Sequence, residues 1–192
     1  RQILNIARNP NPRHILILGP IGSGKSTLAR IIALFRYLSF LKQDEFKIVL
    51  KKIKFDGPFR IDKKLLDFYE EITLTGLIPN LAQSQLFGIV KGAATDVIER
   101  EGIFEKAMYG HNTKEKISVG ANITKGVVFL DEIGDLNQEL QPLLLSVLTG
   151  AGVFRVGAEG NSNYEYNFCG TVITATWKDP SEINLRPDLL SR

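Results

Sequence analysis

An α/β domain built on an open parallel sheet is predicted by three observations. Short, continuously apolar runs recur at 15–18, 127–130 and 171–176, helical periodicity fills intervals between them, and a glycine-rich turn joins the first run to the first helix. Runs of that length without alternation are the mark of strands buried on both faces of a parallel sheet. Strand–helix–strand order then requires right-handed crossovers.

Taken in order, Asn9-Pro10-Asn11-Pro12 is a turn cluster, and Ile15-Leu16-Ile17-Leu18 is the first strand. Ser26 to about Leu41 reads as a helix, apolar at Leu28, Ile31, Ile32, Leu34, Phe35, Leu38 and Leu41. Between 42 and 75 the pattern is ambiguous. Phe46–Leu50 and Lys52–Phe55 fit either a hairpin or a basic helix, and Lys63 to Ile72 reads as helical. Residues 108–125 carry Gly110, Asn112, Gly120 and Asn122 with little period and read as a surface loop. Val127–Leu130 is the second strand. Leu140 to Leu148 is a helix with Pro142 in its first turn, and Thr171–Thr176 is the third strand.

The chain's 192 residues suffice for one sizeable core. Hydrophobic residues at 44% and charged residues at 23% are those of a globular domain rather than a disordered or fibrous one. The net charge of +3 is too small to argue for nucleic acid. The basic run from Lys42 to Lys64 fits a solvated face better than a phosphate-contacting patch. A single cysteine, Cys169, excludes an internal disulfide, fits a reducing, cytoplasmic setting and reads as a small buried apolar residue. His14 and His111 lack partner cysteines for zinc. No apolar run is long enough to span a membrane, and no signal peptide opens the chain. The abrupt ends, at Arg1 and within a helical pattern at Leu190-Ser191-Arg192, read as those of a piece of a longer protein.

Gly19-Pro20-Ile21-Gly22-Ser23-Gly24-Lys25-Ser26 satisfies G-x-x-x-x-G-K-[ST] in full, between a strand and a helix as that motif requires. Glycines let such a loop wrap phosphates. The backbone N–H groups of Ile21 to Thr27 and the positive helix N-terminus complete an anion cradle. Lys25 is then placed for the β- and γ-phosphates of ATP and the Ser26 hydroxyl for magnesium. Asp131-Glu132, at the end of a buried strand, supplies the second half. Asp131 can hold the magnesium through water, and Glu132 can polarise a water for in-line attack.

Beyond those motifs, Asp131-Glu132-Ile133-Gly134-Asp135-Leu136 is followed by Leu140-Gln141, Leu144-Leu145, Val147-Leu148 and Arg155-Val156-Gly157. Gln85–Ala93, Gly102–Ala107 and Leu185–Arg192 stand in matching order along most of the chain. In these segments the chain resembles the AAA+ ATPase domain of sigma-54-dependent transcription activators, the bacterial enhancer-binding proteins. The resemblance implies a P-loop NTPase (AAA+) three-layer sandwich with a central parallel sheet. Residues 1–192 would be its large α/β subdomain, with the C-terminal helical lid, its further ATP-sensing arginine and any sensory or DNA-binding domain beyond Arg192. It further implies a ring, usually a hexamer, with ATP at subunit interfaces. Arg186 and Arg192 would be arginine fingers reaching a neighbour's γ-phosphate, a task suited to the always-charged, bidentate guanidinium.

The chain departs from that pattern in places. The family's GAFTGA loop, which engages sigma-54, reads here Gly92-Ala93-Ala94-Thr95-Asp96-Val97. Ala94 removes a large apolar contact, Asp96 replaces a permissive glycine with a charge, and Val97 stiffens the backbone. Trp177 follows Thr176 where the family commonly has an asparagine sensor, which leaves Thr176 to carry a sensing role. The family's asparagine that restrains the catalytic glutamate corresponds to Lys63 in one alignment and Thr73 in another. The 108–125 segment is longer than the family's turn. Three functions follow. One is an ATPase module driving the 92–97 loop against sigma-54 RNA polymerase. The second is an ATP-gated assembly switch or remodeller with another partner. The third is a chaperone of the MoxR or magnesium-chelatase type, which fits 85–93 poorly.

Overall fold

The structure is a computed structural model that describes residues 14–39, 44, 47, 68–93, 97–109, 126–158, 160–179 and 181–190. Four strands, β1 (His14–Leu18), β2 (Tyr69–Thr73), β3 (Val127–Asp131) and β6 (Thr171–Thr176), form one parallel sheet in the order β1-β6-β3-β2. The register aligns Leu18 with Thr176, Ala175 with Asp131, and Asp131 with Thr73. The carboxyl ends of all four strands therefore lie along one edge, which is where open α/β sheets place their ligands.

Side-chain alternation along the strands makes two cores. On one face Val127, Phe129, Ile173 and Ala175 pack under α1 (Lys25–Ser39), which contributes Ala29, Ile32, Ala33 and Leu38. On the other, Val128, Leu130 and Val172 meet α2 (Pro79–Phe87), α3 (Ile103–Tyr109) and α4 (Gln141–Thr149) through Leu86, Phe87, Phe104, Leu144 and Val147. Helices on both faces of a central parallel sheet are the predicted three-layer sandwich. Pro142 sits in the first turn of α4, where its missing N–H costs nothing. A two-residue antiparallel pair, β4 (Val153–Phe154) with β5 (Glu165–Tyr166), lies outside the main sheet, and α5 (Pro187–Leu190) packs on α4.

Four sequence readings change. Lys63 to Ile72 reads as a helix, yet its C-terminal part lies in β2, paired with β3 from Tyr69↔Val127 to Thr73↔Asp131. The apolar spacing there is helical, but pairing with β3 outweighs local preference, and Glu71 is exposed and neutralised by Arg30. The first strand is not buried on both faces. Ile15 and Ile17 pack under α1, whereas Leu16 and Leu18 are 45% and 49% exposed. β1 ends the described strand order, and α5 with Ile183 and Leu185 only partly roofs its second face, leaving an apolar cavity of about 140 Å³. Cys169 is half-buried rather than buried, its thiol donating weakly to the Asn167 carbonyl at 3.7 Å. Of the 108–125 surface loop, Met108 and Tyr109 instead end α3, with Met108 buried in the core. Residues 110–125 lie outside the described residues, as do the 9–12 turn, the 46–55 alternatives apart from Lys47, and most of the Lys42–Lys64 basic run.

Candidate nucleotide site

β1 delivers the chain into the 19–24 turn, where Gly22 and Gly24 take φ of 78° and 86°. Those left-handed values oppose a side chain, so glycine is required for the turn to be this tight. Ser23 N–H donates to the Pro20 carbonyl at 3.2 Å, closing the turn, so within the predicted cradle this amide is already engaged. Helical bonding begins with Leu28 N–H to Gly24 O at 2.9 Å. The amides of Lys25, Ser26 and Thr27 stand in the first turn, where a helix supplies no acceptors of its own. Lys25 is buried, and its Nζ donates to the carbonyls of Gly19 (3.0 Å) and Pro20 (3.3 Å). Ile21, at the turn's tip, is exposed.

The second carboxylate-bearing edge lies next to it. Ser26 Oγ donates to Asp131 Oδ2 at 3.5 Å, and Lys25 Nζ is 3.8 Å from Glu132 Oε1. Glu132 is the one non-glycine residue at positive φ among the described residues, at φ 56° and ψ 52°. A left-handed side-chain residue costs about 1–2 kcal/mol, and such strain concentrates at functional sites. It is held by Glu132 N–H donating to Asp131 Oδ1 (3.1 Å) and Trp177 N–H donating to Glu132 Oε2 (3.3 Å). Thr176, fully buried, ends β6; its carbonyl accepts from Gly19 N–H and its Oγ1 from Lys178 N–H, both at 3.2 Å. Of the two alignments for the restraining position, the register puts Thr73 opposite Asp131, and Leu74 N–H donates to the Asp131 carbonyl at 3.0 Å. Lys63 lies outside the described residues.

The sequence thus named Lys25, Ser26, Asp131, Glu132 and Thr176, and the fold brings them together. It missed the Trp177 amide, Lys178 and Thr75. Lys178 Nζ binds Asp135 and the Gly134 carbonyl, and Thr75 Oγ1 donates to the other Asp135 oxygen at 2.7 Å. Only the acid at the end of Asp131–Asp135 hinted at this network. Arg186 is elsewhere. It is exposed and paired bidentately with Asp188 at 2.7 and 3.1 Å, which holds the Asp188 carboxyl below the ordinary range. Its backbone N–H donates to the buried Gln141 side chain at 2.8 Å, fixing where α5 starts. Arg192 lies outside the described residues.

Of the expected partner loop, Gly92, Ala93 and Val97 are described; Ala94, Thr95 and Asp96 are not. Its base is built firmly. Ile89 bridges Arg100 antiparallel and Val156 in parallel, and Gly102 packs so tightly that an added Cβ would meet the Leu86 carbonyl at 2.3 Å. Behind it, buried Arg155 takes Glu105 bidentately at 2.8 and 2.5 Å, reaches Glu99 at 2.7 Å and lies over the Tyr164 ring. Arg155→Ala would strand the buried Glu105 carboxylate. We expect a loss of about 3 kcal/mol, read as a Tm lower by roughly 6–12 °C in thermal unfolding. A shift within one degree would mean that the cluster is solvated.

A parallel sheet between helices, a glycine-rich phosphate turn after β1 and an Asp-Glu pair at the tip of β3 define a P-loop module of the AAA+ class. A family model, the sigma-54 interaction domain, matches residues 60–192. The chain belongs to the sigma-54 interaction domain family, AAA+ domains of bacterial transcription regulators. Transcriptional regulatory protein LevR of Bacillus subtilis (strain 168) is 30% identical over 178 residues, 92% of this chain and 15% of that protein. DNA-binding transcriptional activator HyfR of Escherichia coli (strain K12) is 33% identical over 182 residues, 93% of this chain and 20% of that protein. The chain therefore spans a small part of these curated relatives. A crystal structure of NtrX from Brucella abortus in complex with ATP shares the fold, with a TM-score of 0.62 at 21% identity over 100% of this chain and 32% of that one. Among the described residues no helix is long and apolar enough to cross a membrane, and no three His, Cys, Asp or Glu side chains gather as a metal cluster.

Proposed function

We propose that the chain binds and hydrolyses ATP with magnesium, as the AAA+ module of a cytoplasmic sigma-54-interaction-type transcription regulator. The observation that supports this best is the meeting of Lys25, Ser26, Asp131, Glu132 and Thr176 at the ends of three adjacent strands. A hydroxyl and a carboxylate 3.5 Å apart are hard oxygen donors of the kind magnesium takes, beside a cation and a row of amides for phosphates. NtrX, of the same fold, is described with ATP. When bound, the magnesium nucleotide supplies the phosphoryl group and neutralises charge developing on it.

Each residue then has a role. Lys25 exchanges its loop carbonyls for phosphate oxygens. Ser26 and Asp131 would hold the metal, and Gly19, Ile21, Gly22, Ser23, Gly24 and Thr27 shape the cradle around the phosphates. Glu132 takes a proton from the attacking water, and Thr176 senses the terminal phosphate. Arg186 and Arg192 act on the nucleotide of a neighbouring subunit in a ring, so hydrolysis requires assembly. Movement at these interfaces drives the 92–97 loop against a protein partner. On this reading residues 1–192 form the large α/β subdomain. The lid and any DNA-contacting domain belong to other parts of a longer protein, in keeping with the greater length of LevR and HyfR.

Lys25→Ala tests the reading directly. Losing a charged hydrogen-bond donor costs about 1.5–3 kcal/mol, so the Kd for a fluorescent ATP analogue should rise roughly 10- to 100-fold. An unchanged Kd would remove the phosphate cradle. A second reading, an assembly switch that acts on another partner, is favoured by Ala94 and Asp96 in the loop. Protein that hydrolyses ATP yet fails to bind sigma-54 holoenzyme would establish it.

A further inference from the structure

Glu132 occupies a backbone conformation that a side chain resists, and its carboxylate is aimed by a main-chain donor, Trp177 N–H, at 3.3 Å. What fixes that donor is a set of contacts joining the exits of three strands. Thr75 leaves β2, Asp135 lies in the turn after β3, and Lys178 lies in the turn after β6. Asp135 accepts Thr75 Oγ1 on one oxygen and Lys178 Nζ on the other, and Lys178 Nζ also donates to the Gly134 carbonyl at 3.3 Å. The two turns touch. A Cβ at Gly134 would stand 3.0 Å from the Lys178 side chain and 3.1 Å from Thr176 Oγ1. Both donors hold the Asp135 carboxyl below the ordinary carboxylate range, so it stays charged at neutral pH.

We infer that Asp135, Lys178 and Thr75 are positioning residues for ATP hydrolysis: they clamp the β3 and β6 turns together so that Trp177 N–H orients the Glu132 carboxylate. This rests on the proposed role of Glu132 and deepens it. A main-chain donor works whatever side chain stands at 177, so tryptophan there is compatible with the role. Released from the clamp, the β6 turn moves against the β3 turn, and the carboxylate loses one of the two groups that fix its direction. The side chains of Asp135, Lys178 and Thr75 bond to the β2, β3 and β6 exits, whereas the nucleotide cradle is built from β1 and α1 and meets β6 through main-chain Gly19 N–H on the Thr176 carbonyl. The clamp therefore acts on the rate and not on binding.

The test compares Asp135→Ala and Lys178→Met with Lys178→Arg, singly and on Glu132→Gln, in protein assembled for ATP turnover. Misplacing a reacting group by a fraction of an ångström costs roughly tenfold. The expected result is kcat about tenfold lower in both clamp variants at unchanged KM, with most of the rate restored by Lys178→Arg. Trp177, the chain's single tryptophan, reports the turn itself, and its fluorescence anisotropy should fall in Asp135→Ala and Lys178→Met. On Glu132→Gln neither variant should slow the residual single-turnover rate further. An equal loss on that background, or a raised KM, would mean a general structural role and overturn the inference. Turnover lost in Glu132→Gln but intact in both clamp variants would also overturn it, leaving the role of Glu132 standing. Turnover retained in Glu132→Gln alone would remove that role, and the clamp's with it.

Discussion

Glu132→Gln should leave nucleotide binding intact and lower ATP turnover by about 10²- to 10⁴-fold, the usual contribution of a positioned general base. The substitution is nearly isosteric, and the amide oxygen still accepts from Trp177 N–H. The strained turn and the packing around it are therefore kept. What disappears is basicity: an amide cannot take a proton from water at neutral pH. Loss of the negative charge 3.8 Å from Lys25 Nζ also frees that ammonium for phosphate. The Kd for ATP should thus be unchanged or lower, while phosphate release falls by that same factor. Equilibrium binding and phosphate release on one preparation separate these outcomes. A variant that still turns over at more than a tenth of the parent rate would mean that another group deprotonates the water.

How much of this was legible depends on which physical signal each feature leaves. The strands at 127–131 and 171–176 are plain because both faces are covered, so short runs of β-branched and apolar residues stand there without polar alternation. β2 is hidden because it carries Glu70 and Glu71, and because Tyr69 and Ile72 also fit a helical stripe. Only pairing with β3, a long-range fact, makes it a strand. The half-open second face of β1 is a similar case, since what lies over Leu16 is decided by Ile183, Leu185 and α5, far along the chain.

In the site, Lys25-Ser26 and Asp131-Glu132 are legible because each pair stands in a short contiguous motif, a glycine-rich turn before a helix and an acidic pair ending an apolar strand. The residues that orient them are not. A main-chain donor such as Trp177 N–H leaves no side-chain signature. Thr75, Asp135 and Lys178 are ordinary polar residues until three strand ends are brought level by the sheet register. The same register sets Thr73 opposite Asp131, while counting along the sequence leaves both Lys63 and Thr73 open. Sequence motifs point to the candidate reacting groups, and the sheet register brings their neighbours to them.

Arg186→Ala should lower turnover about 10³-fold or more in assembled protein, the effect of losing an arginine finger, without weakening ATP binding. Arg186 is exposed just before α5, and its guanidinium is paired with Asp188 in that short helix. A surface pair of this kind is readily exchanged for a phosphate on another subunit, whose charge is greater and whose oxygens suit the same bidentate fork. Its main chain, tied to buried Gln141, keeps the base of the side chain in place while the guanidinium swings. Action in trans has a consequence that action in cis lacks. Arg186→Ala subunits keep an intact cradle, and Lys25→Ala subunits keep an intact finger. At an ATP concentration well below the raised Kd of Lys25→Ala each variant alone turns over little, yet a one-to-one mixture should regain turnover at roughly a quarter of its interfaces, where an intact cradle meets an intact finger in a head-to-tail ring. Recovery on mixing, measured by phosphate release against each variant alone, is therefore the decisive reading. No recovery, with mixed assembly verified by subunit exchange, would place Arg186 in its own subunit's site or outside catalysis altogether.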